Sequence, residues 1–149
     1  MTYPIFSDEY FMNEALKEAR KAFEQDEVPV GAIVVSNQRI IARGFNMTEQ
    51  LGDVTAHAEM IALTSASNFL GSKYLDECSL YVTLEPCLMC GAAFKWAQLG
   101  RLAFGASDEK AGYHLVESPV LHPRTKISFG ILEEECGKLL KEFFRMKRV

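Results

Sequence analysis

Two short stretches of this 149-residue chain carry side chains that can hold a metal and move protons: His57-Ala58-Glu59 and Pro86-Cys87-Leu88-Met89-Cys90. Cysteines three apart on a helix project from one face and can share an ion, and thiolates favour zinc, with bonds near ~2.3 Å. The imidazole of His57 completes three protein ligands for one zinc per chain. That count leaves the fourth tetrahedral position open, as in catalytic zinc sites and unlike closed structural ones. Helix N-termini favour the thiolate over the thiol, because unpaired N–H groups stabilise negative charge there. Two thiolates cancel the charge of a divalent ion, so a neighbouring proton acceptor becomes useful. Glu59, two residues past His57, is placed to be that general base and acid.

Taken singly, each piece has a blander reading. Cys-x-x-Cys in an intracellular chain also describes a redox pair, a structural zinc half-site or two packed thiols, and His-x-Glu alone is commonly incidental. Together, H-x-E followed by P-C-x-x-C is the established signature of zinc nucleobase deaminases. Two rivals remain open on these residues. A deaminase of a free base or nucleoside, guanine or cytosine in type, would use the same metal site. A noncatalytic zinc-binding module would close the shell with a fourth protein ligand and leave Glu59 without a task.

These residues need elements to hold them. Residues 8 to 24 place Phe11, Met12, Ala15, Leu16, Ala19 and Phe23 at helical spacing, with Ser7 and Asp8 available as caps. Val30–Val35 and Arg39–Phe45 are apolar runs around the turn residues Ser36-Asn37-Gln38 and predict a hairpin. A helix over Ala56–Asn68, a strand over Ser79–Thr83, a helix over Cys87–Leu99 and a strand over Arg101–Gly105 follow. Ala106–Lys126, with Gly112, Pro119 and Pro123, has no sustained period and reads as a long surface segment. Ile127–Phe129 is a short last strand, and Leu132, Cys136, Leu139, Leu140 and Phe143 line a closing helix. This order predicts an α/β protein, a three-layer sandwich with a mixed sheet. Each catalytic stretch then falls after a strand, at a helix start.

Length and an apolar content of 48% suit one domain, residues 1–149. The opening residues lack the basic start and apolar run of a signal peptide, and no stretch is long enough for a membrane span, so a soluble cytoplasmic protein is expected. A net charge of −4 excludes coating of nucleic acid by bulk charge. The C-terminal end differs in sign: Lys138, Lys141, Arg145, Lys147 and Arg148 stand against Glu142 alone. Cations there also complement a helix dipole, which is the plainer explanation. Cys78 and Cys136 read as packed thiols, His114 and His122 as surface residues, and Glu85 as a charge at the mouth of a site or at a helix N-terminus.

Beyond the signature, the chain resembles bacterial tRNA-specific adenosine deaminases of the cytidine/deoxycytidylate deaminase superfamily. The likeness runs through 27–32, Gly44-Phe45-Asn46, Thr55-Ala56-His57-Ala58-Glu59, 80–90, Phe104-Gly105-Ala106 with Asp108, and Phe143-Phe144-Arg145-Met146-Lys147-Arg148. The resemblance implies a cytidine-deaminase-like fold with a mixed five-stranded sheet in an α/β/α sandwich. It also implies a homodimer, and a tRNA anticodon stem-loop whose wobble adenosine is flipped beside zinc and converted to inosine. Asn46 is expected to hydrogen-bond the purine and Asp108 to lie near the RNA backbone, while a helix-terminal amide or the backbone around Ala58 is available to polarise the reacting centre. Phe144, off the apolar face of the last helix, and Arg145, in the basic cluster, are expected to contact RNA. Where the family commonly has Lys-Thr-Gly-Ala-Ala-Gly, this chain has Lys110-Ala111-Gly112-Tyr113-His114-Leu115, in a segment expected to border the substrate.

Overall fold

A computed structural model describes residues 2–148; Met1 and Val149, the ends of the expected domain span and, for Val149, of the basic C-terminal stretch, lie outside the described residues. The elements are α1 (Asp8–Glu24), β1 (Gly31–Ser36), β2 (Arg39–Phe45), α2 (Thr48–Leu51), α3 (Ala58–Leu70), β3 (Ser79–Leu84), α4 (Leu88–Trp96), β4 (Arg101–Ala106), β5 (Lys126–Ser128) and α5 (Glu133–Lys147). Ser7 caps α1 by accepting a hydrogen bond from the Tyr10 amide at 3.1 Å, with Asp8 and Glu9 in the first turn.

The five strands lie in the order β2-β1-β3-β4-β5. The β1–β2 and β1–β3 pairs are antiparallel, and β3–β4 and β4–β5 are parallel, so the sheet is mixed. Period-two alternation splits the strand side chains between two cores. Ala32, Val34, Leu80, Val82, Leu102 and Phe104 pack with Ala58, Ala62 and Ala66 of α3 and with Cys90 and Phe94 of α4. Ile33, Val35, Tyr81 and Ala103 pack with Phe11, Met12, Ala15 and Leu16 of α1 and with Cys136 of α5. Helices thus cover both faces, and the α/β/α sandwich with a mixed five-stranded sheet is the architecture observed.

The register explains where chemistry can be built. Gly31 pairs with Phe45, Ala32 with Val82 and Leu84 with Ala106, so the start of β1 and the ends of β2, β3 and β4 share one edge of the sheet. The segments leaving that edge carry Asn46, Glu85 to Cys87, and Asp108. Helix α3 presses on β2 beside it: a Cβ at Gly44 would stand 2.7 Å from the Ala58 carbonyl oxygen, so glycine is what allows the helix start to come this close.

Several boundaries differ from the sequence expectation. The α3 helix begins at Ala58, not Ala56, because His57 is extended (φ −74°, ψ 152°). Helix α4 stops at Trp96, short of Leu99, where Ala97 closes the helix and Gln98 takes a left-handed φ of 54°. The last strand begins one residue early, at Lys126. The four-residue α2 was not anticipated, and the expected irregular segment contains a 3₁₀ turn at Tyr113–Leu115.

Candidate active site

His57 and Cys87 occupy equivalent positions, each the N-cap residue of its helix and each extended, and neither side chain makes a capping hydrogen bond. Ser, Thr, Asp or Asn would ordinarily stand there, worth ~1 kcal/mol as caps. Giving both caps to an imidazole and a thiol forgoes that stabilisation and leaves the side chains free for another partner. The helices still start through the backbone, with Ile61 donating to the His57 carbonyl at 3.1 Å and Gly91 to that of Cys87 at 2.9 Å.

The three expected ligands converge. Nδ1 of His57 lies 3.7 Å from Sγ of Cys87 and 3.5 Å from Sγ of Cys90, and one donor atom from each residue falls within 4.8 Å of the others. Tetrahedral zinc with bonds of ~2.3 Å to sulfur and ~2.05 Å to nitrogen requires an S···N separation of about 3.6 Å, which both distances straddle. The donor set therefore fits zinc in chemistry and in spacing, with Nδ1 as the nitrogen ligand.

Electrostatics agrees. The hydrogen bond from Cys90 brings the Cys87 thiol down to about 4, helped by His57, whereas the Cys87 sulfur and burial push Cys90 strongly up. Cys87 is thus favoured as thiolate, and a cation held by both sulfurs would displace any remaining thiol proton. His57 is raised, chiefly by its hydrogen bond to Cys87. Glu59 is only 4% exposed, and loss of hydration raises its carboxyl to about 7. A carboxyl tuned to neutrality beside a metal site can both take and return a proton.

A cavity of ≈ 290 Å³ opens over this group, lined by His57, Ala58, Glu59 and Cys87 together with Val28, Val30, Asn46, Thr48, Leu84, Glu85, Asp108 and Ala111. Asn46, Ala58 and Asp108 thus stand at the site. The Asn46 side chain also serves its own loop, donating to the Val28 carbonyl at 3.3 Å and accepting from the Thr48 amide at 3.4 Å. Asp108 accepts from the amides of Lys110 and Ala111, both at 3.0 Å. Phe144 and Arg145 lie elsewhere, on the last turns of α5. Phe144 is half-exposed with its ring edge against Phe143, and Arg145 shares a shallow hollow with Lys138, Lys141 and Glu142. Lys147 is engaged, paired with Asp26 at 2.5 Å and lying over the Phe143 ring.

Sequence reasoning missed the supports of the cavity walls. Glu85, expected as a charge at the mouth or at a helix N-terminus, is buried and accepts from the amides of Asp108 and His114, both at 3.0 Å. Glu27, 1% exposed, accepts from the amides of Glu49 and Gln50 at 3.1 and 2.8 Å and so anchors α2 beside Asn46. Cys78 and Cys136 are buried away from the metal ligands, as their packing reading expects.

Residues 6–106 match the family model for the cytidine and deoxycytidylate deaminase zinc-binding region. The tRNA-specific adenosine deaminase of Aquifex aeolicus (strain VF5) is 46% identical over 145 residues, spanning 94% of this chain and 95% of that protein. A solved structure from a study of A-to-I editing by tRNA:A34 deaminases at the wobble position superposes with a TM-score of 0.82 at 44% identity, covering 88% of this chain and 99% of that one. The guanine deaminase of Bacillus subtilis gives 0.65 at 36% identity, over 68% of this chain and 65% of that one.

Proposed function

Because the chain belongs to the cytidine and deoxycytidylate deaminase family, among the tRNA-specific adenosine deaminases, we propose that it hydrolyses the wobble adenosine of a tRNA anticodon to inosine and ammonia. The observation that carries the chemistry is the convergence of His57, Cys87 and Cys90 beside the buried carboxyl of Glu59. Zinc, held by those three side chains, would supply a lowered pKa for the attacking water. Glu59 accepts a proton from that water as C6 is attacked and passes it to the ring nitrogen. The same carboxyl then takes the proton of the new C6 hydroxyl and delivers it to the amine as the exocyclic C–N bond breaks, so water and adenosine balance inosine and ammonia.

The cavity has room for one base and not for a stem-loop. The target nucleotide must therefore leave its stack, and the rest of the RNA must lie outside. Asn46 and the Ala58 backbone would meet the flipped base, and Asp108 the backbone next to it. A second hollow shares Val28 and Thr48 with the active cavity and runs to Phe143 and Lys147. It supplies a path from the site to α5, where Phe144 and Arg145 would meet flanking nucleotides by stacking and by phosphate contact.

Identity of 46% over 94% of the chain to a tRNA-specific enzyme favours this substrate over guanine, for which a guanine deaminase reaches 36% over 68% of the chain and another 24% over 92%. Among the described residues no helix is long and apolar enough to cross a membrane, and we place the enzyme with its tRNA in the cytoplasm. Val54, Leu88 and Trp96 expose large apolar surface, which supports a homodimer. The test is a deamination assay of the zinc-loaded protein on an anticodon stem-loop, free adenosine, guanine and cytosine. Inosine in the stem-loop alone is expected. Turnover of guanine or cytosine with the stem-loop untouched would overturn the substrate, and inertness toward all four would leave a zinc-binding module.

A further inference from the structure

The two walls of the active cavity are each held by a buried carboxylate bound to backbone amides, but only one of them has a side-chain counterpart. Glu27 anchors the 46–51 wall through the amides of Glu49 and Gln50, and no side chain among the described residues donates to it. Glu85 anchors the 106–114 wall through the amides of Asp108 and His114, and here the His114 imidazole adds Nδ1 at 2.8 Å from one carboxylate oxygen and 2.6 Å from the other. The side chain of Glu85 is 1% exposed and that of His114 43%, so the carboxylate lies inside the wall and the imidazole closes it from the rim.

The loop is wrapped tightly around this carboxylate. A Cβ at Gly112 would stand 2.5 Å from the Glu85 carboxyl and from the Asp108 carbonyl oxygen. Tyr113 donates its amide to the Pro86 carbonyl at 2.9 Å, and Gly112 bridges to Cys87 as an isolated antiparallel pair. Asp108 and Ala111, the residues this wrapping sets in place, line the same cavity as Val28, Asn46 and Thr48. His114 itself does not line the cavity.

We propose that His114 is a positioning residue, which through its hydrogen bond to Glu85 sets the Asp108–Ala111 wall and with it the fit of the substrate nucleotide. The proposal rests on the deaminase reading of the site. It assigns the wall to binding, and the side chain of His114 meets only Glu85 and Glu109 among the described residues, so loosening the latch raises KM and spares kcat. Loss of fold would instead lower kcat by reducing the active fraction.

The experiment compares the zinc-loaded parent with His114→Ala and with His114→Asn, whose side-chain N–H can replace Nδ1–H. Kinetics are measured on the anticodon stem-loop, or on whichever nucleobase substrate the parent turns over, beside hydrogen exchange without substrate. His114→Ala should raise KM about tenfold, the size of one hydrogen bond to a charged group, at unchanged zinc content and kcat within about twofold. The Asp108 and His114 amides should exchange faster in the alanine variant and return to the parent rate in His114→Asn, as should KM. Unchanged KM, a fall in kcat alone, or an asparagine variant that behaves like alanine would overturn the assignment. If the parent turns over no substrate, the deaminase reading fails, and unchanged exchange in His114→Ala then overturns the latch on its own evidence.

Discussion

The edge of the sheet that holds His57, Glu59, Cys87 and Cys90 and the last turns of α5 are built on opposite principles. At the sheet edge four reactive side chains converge from two helix starts, in positions where a cap is sacrificed and a carboxyl is buried. On α5, the basic side chains complement the dipole of a helix that begins Glu133-Glu134-Glu135 and ends with Arg145 and Lys147 in its last turn. Nothing there is buried against its preference. The difference teaches that forgone stability marks the chemistry, whereas recognition of a large charged substrate can be spread over a relaxed surface.

The sharpest way to break the comparison is at the ligands. Cys87→Ala, or His57→Ala, should lose tightly bound zinc and all turnover, as measured by metal analysis and a deamination assay. A variant that kept one zinc per chain and normal activity would remove the site from the account. The basic face should behave quite differently. Lys138, Lys141 and Arg145 make no ion pair among the described residues, whereas Lys147 is tied to Asp26, so the free cations are the proper ones to neutralise. Replacing all three with glutamine should reduce the slope of log affinity for the stem-loop against log salt by up to about 2.5, with zinc and kcat preserved. An unchanged slope would take the docking surface off α5.

The smallest expected effect is a pH dependence confined to the inner site. Burial raises Glu59 from 4.5 to about 7, so the folded zinc-free chain binds this proton more tightly than the unfolded chain does. The stability it contributes is complete below 4.5 and is lost as pH rises through about 7. Melting of the zinc-free Glu59→Gln variant should therefore gain on the parent between about pH 5 and about pH 8, by roughly 3 °C or more. A gap that does not widen with pH would mean that the carboxyl is not held protonated by burial.

Much of this was legible in the residues, and the reason is locality. The ligands and Glu59 sit in two stretches of three and five residues, and each directly follows or caps a helix start that the apolar periodicity already marks. The sandwich was legible because helices and strands alternate along the chain after the opening hairpin. The wall supports were not. Glu85 meets amides 23 and 29 residues further along, and Glu27 meets amides 22 and 23 residues away, so only the sheet topology brings the partners together. At four residues, α2 is too short to show a period. The boundary at His57 moved because a metal ligand took the extended cap position that periodicity assigned to the helix.

The most direct measurement of the central claim follows inosine at the wobble position of an anticodon stem-loop under single-turnover conditions, by digestion and mass spectrometry. The parent and Glu59→Gln are compared side by side, each shown to carry one zinc. The account predicts inosine from the parent and a rate lower by at least about 10²- to 10⁴-fold from the variant, because the metal site is intact and only the proton carrier is gone. Inosine forming at the same rate in both would contradict it.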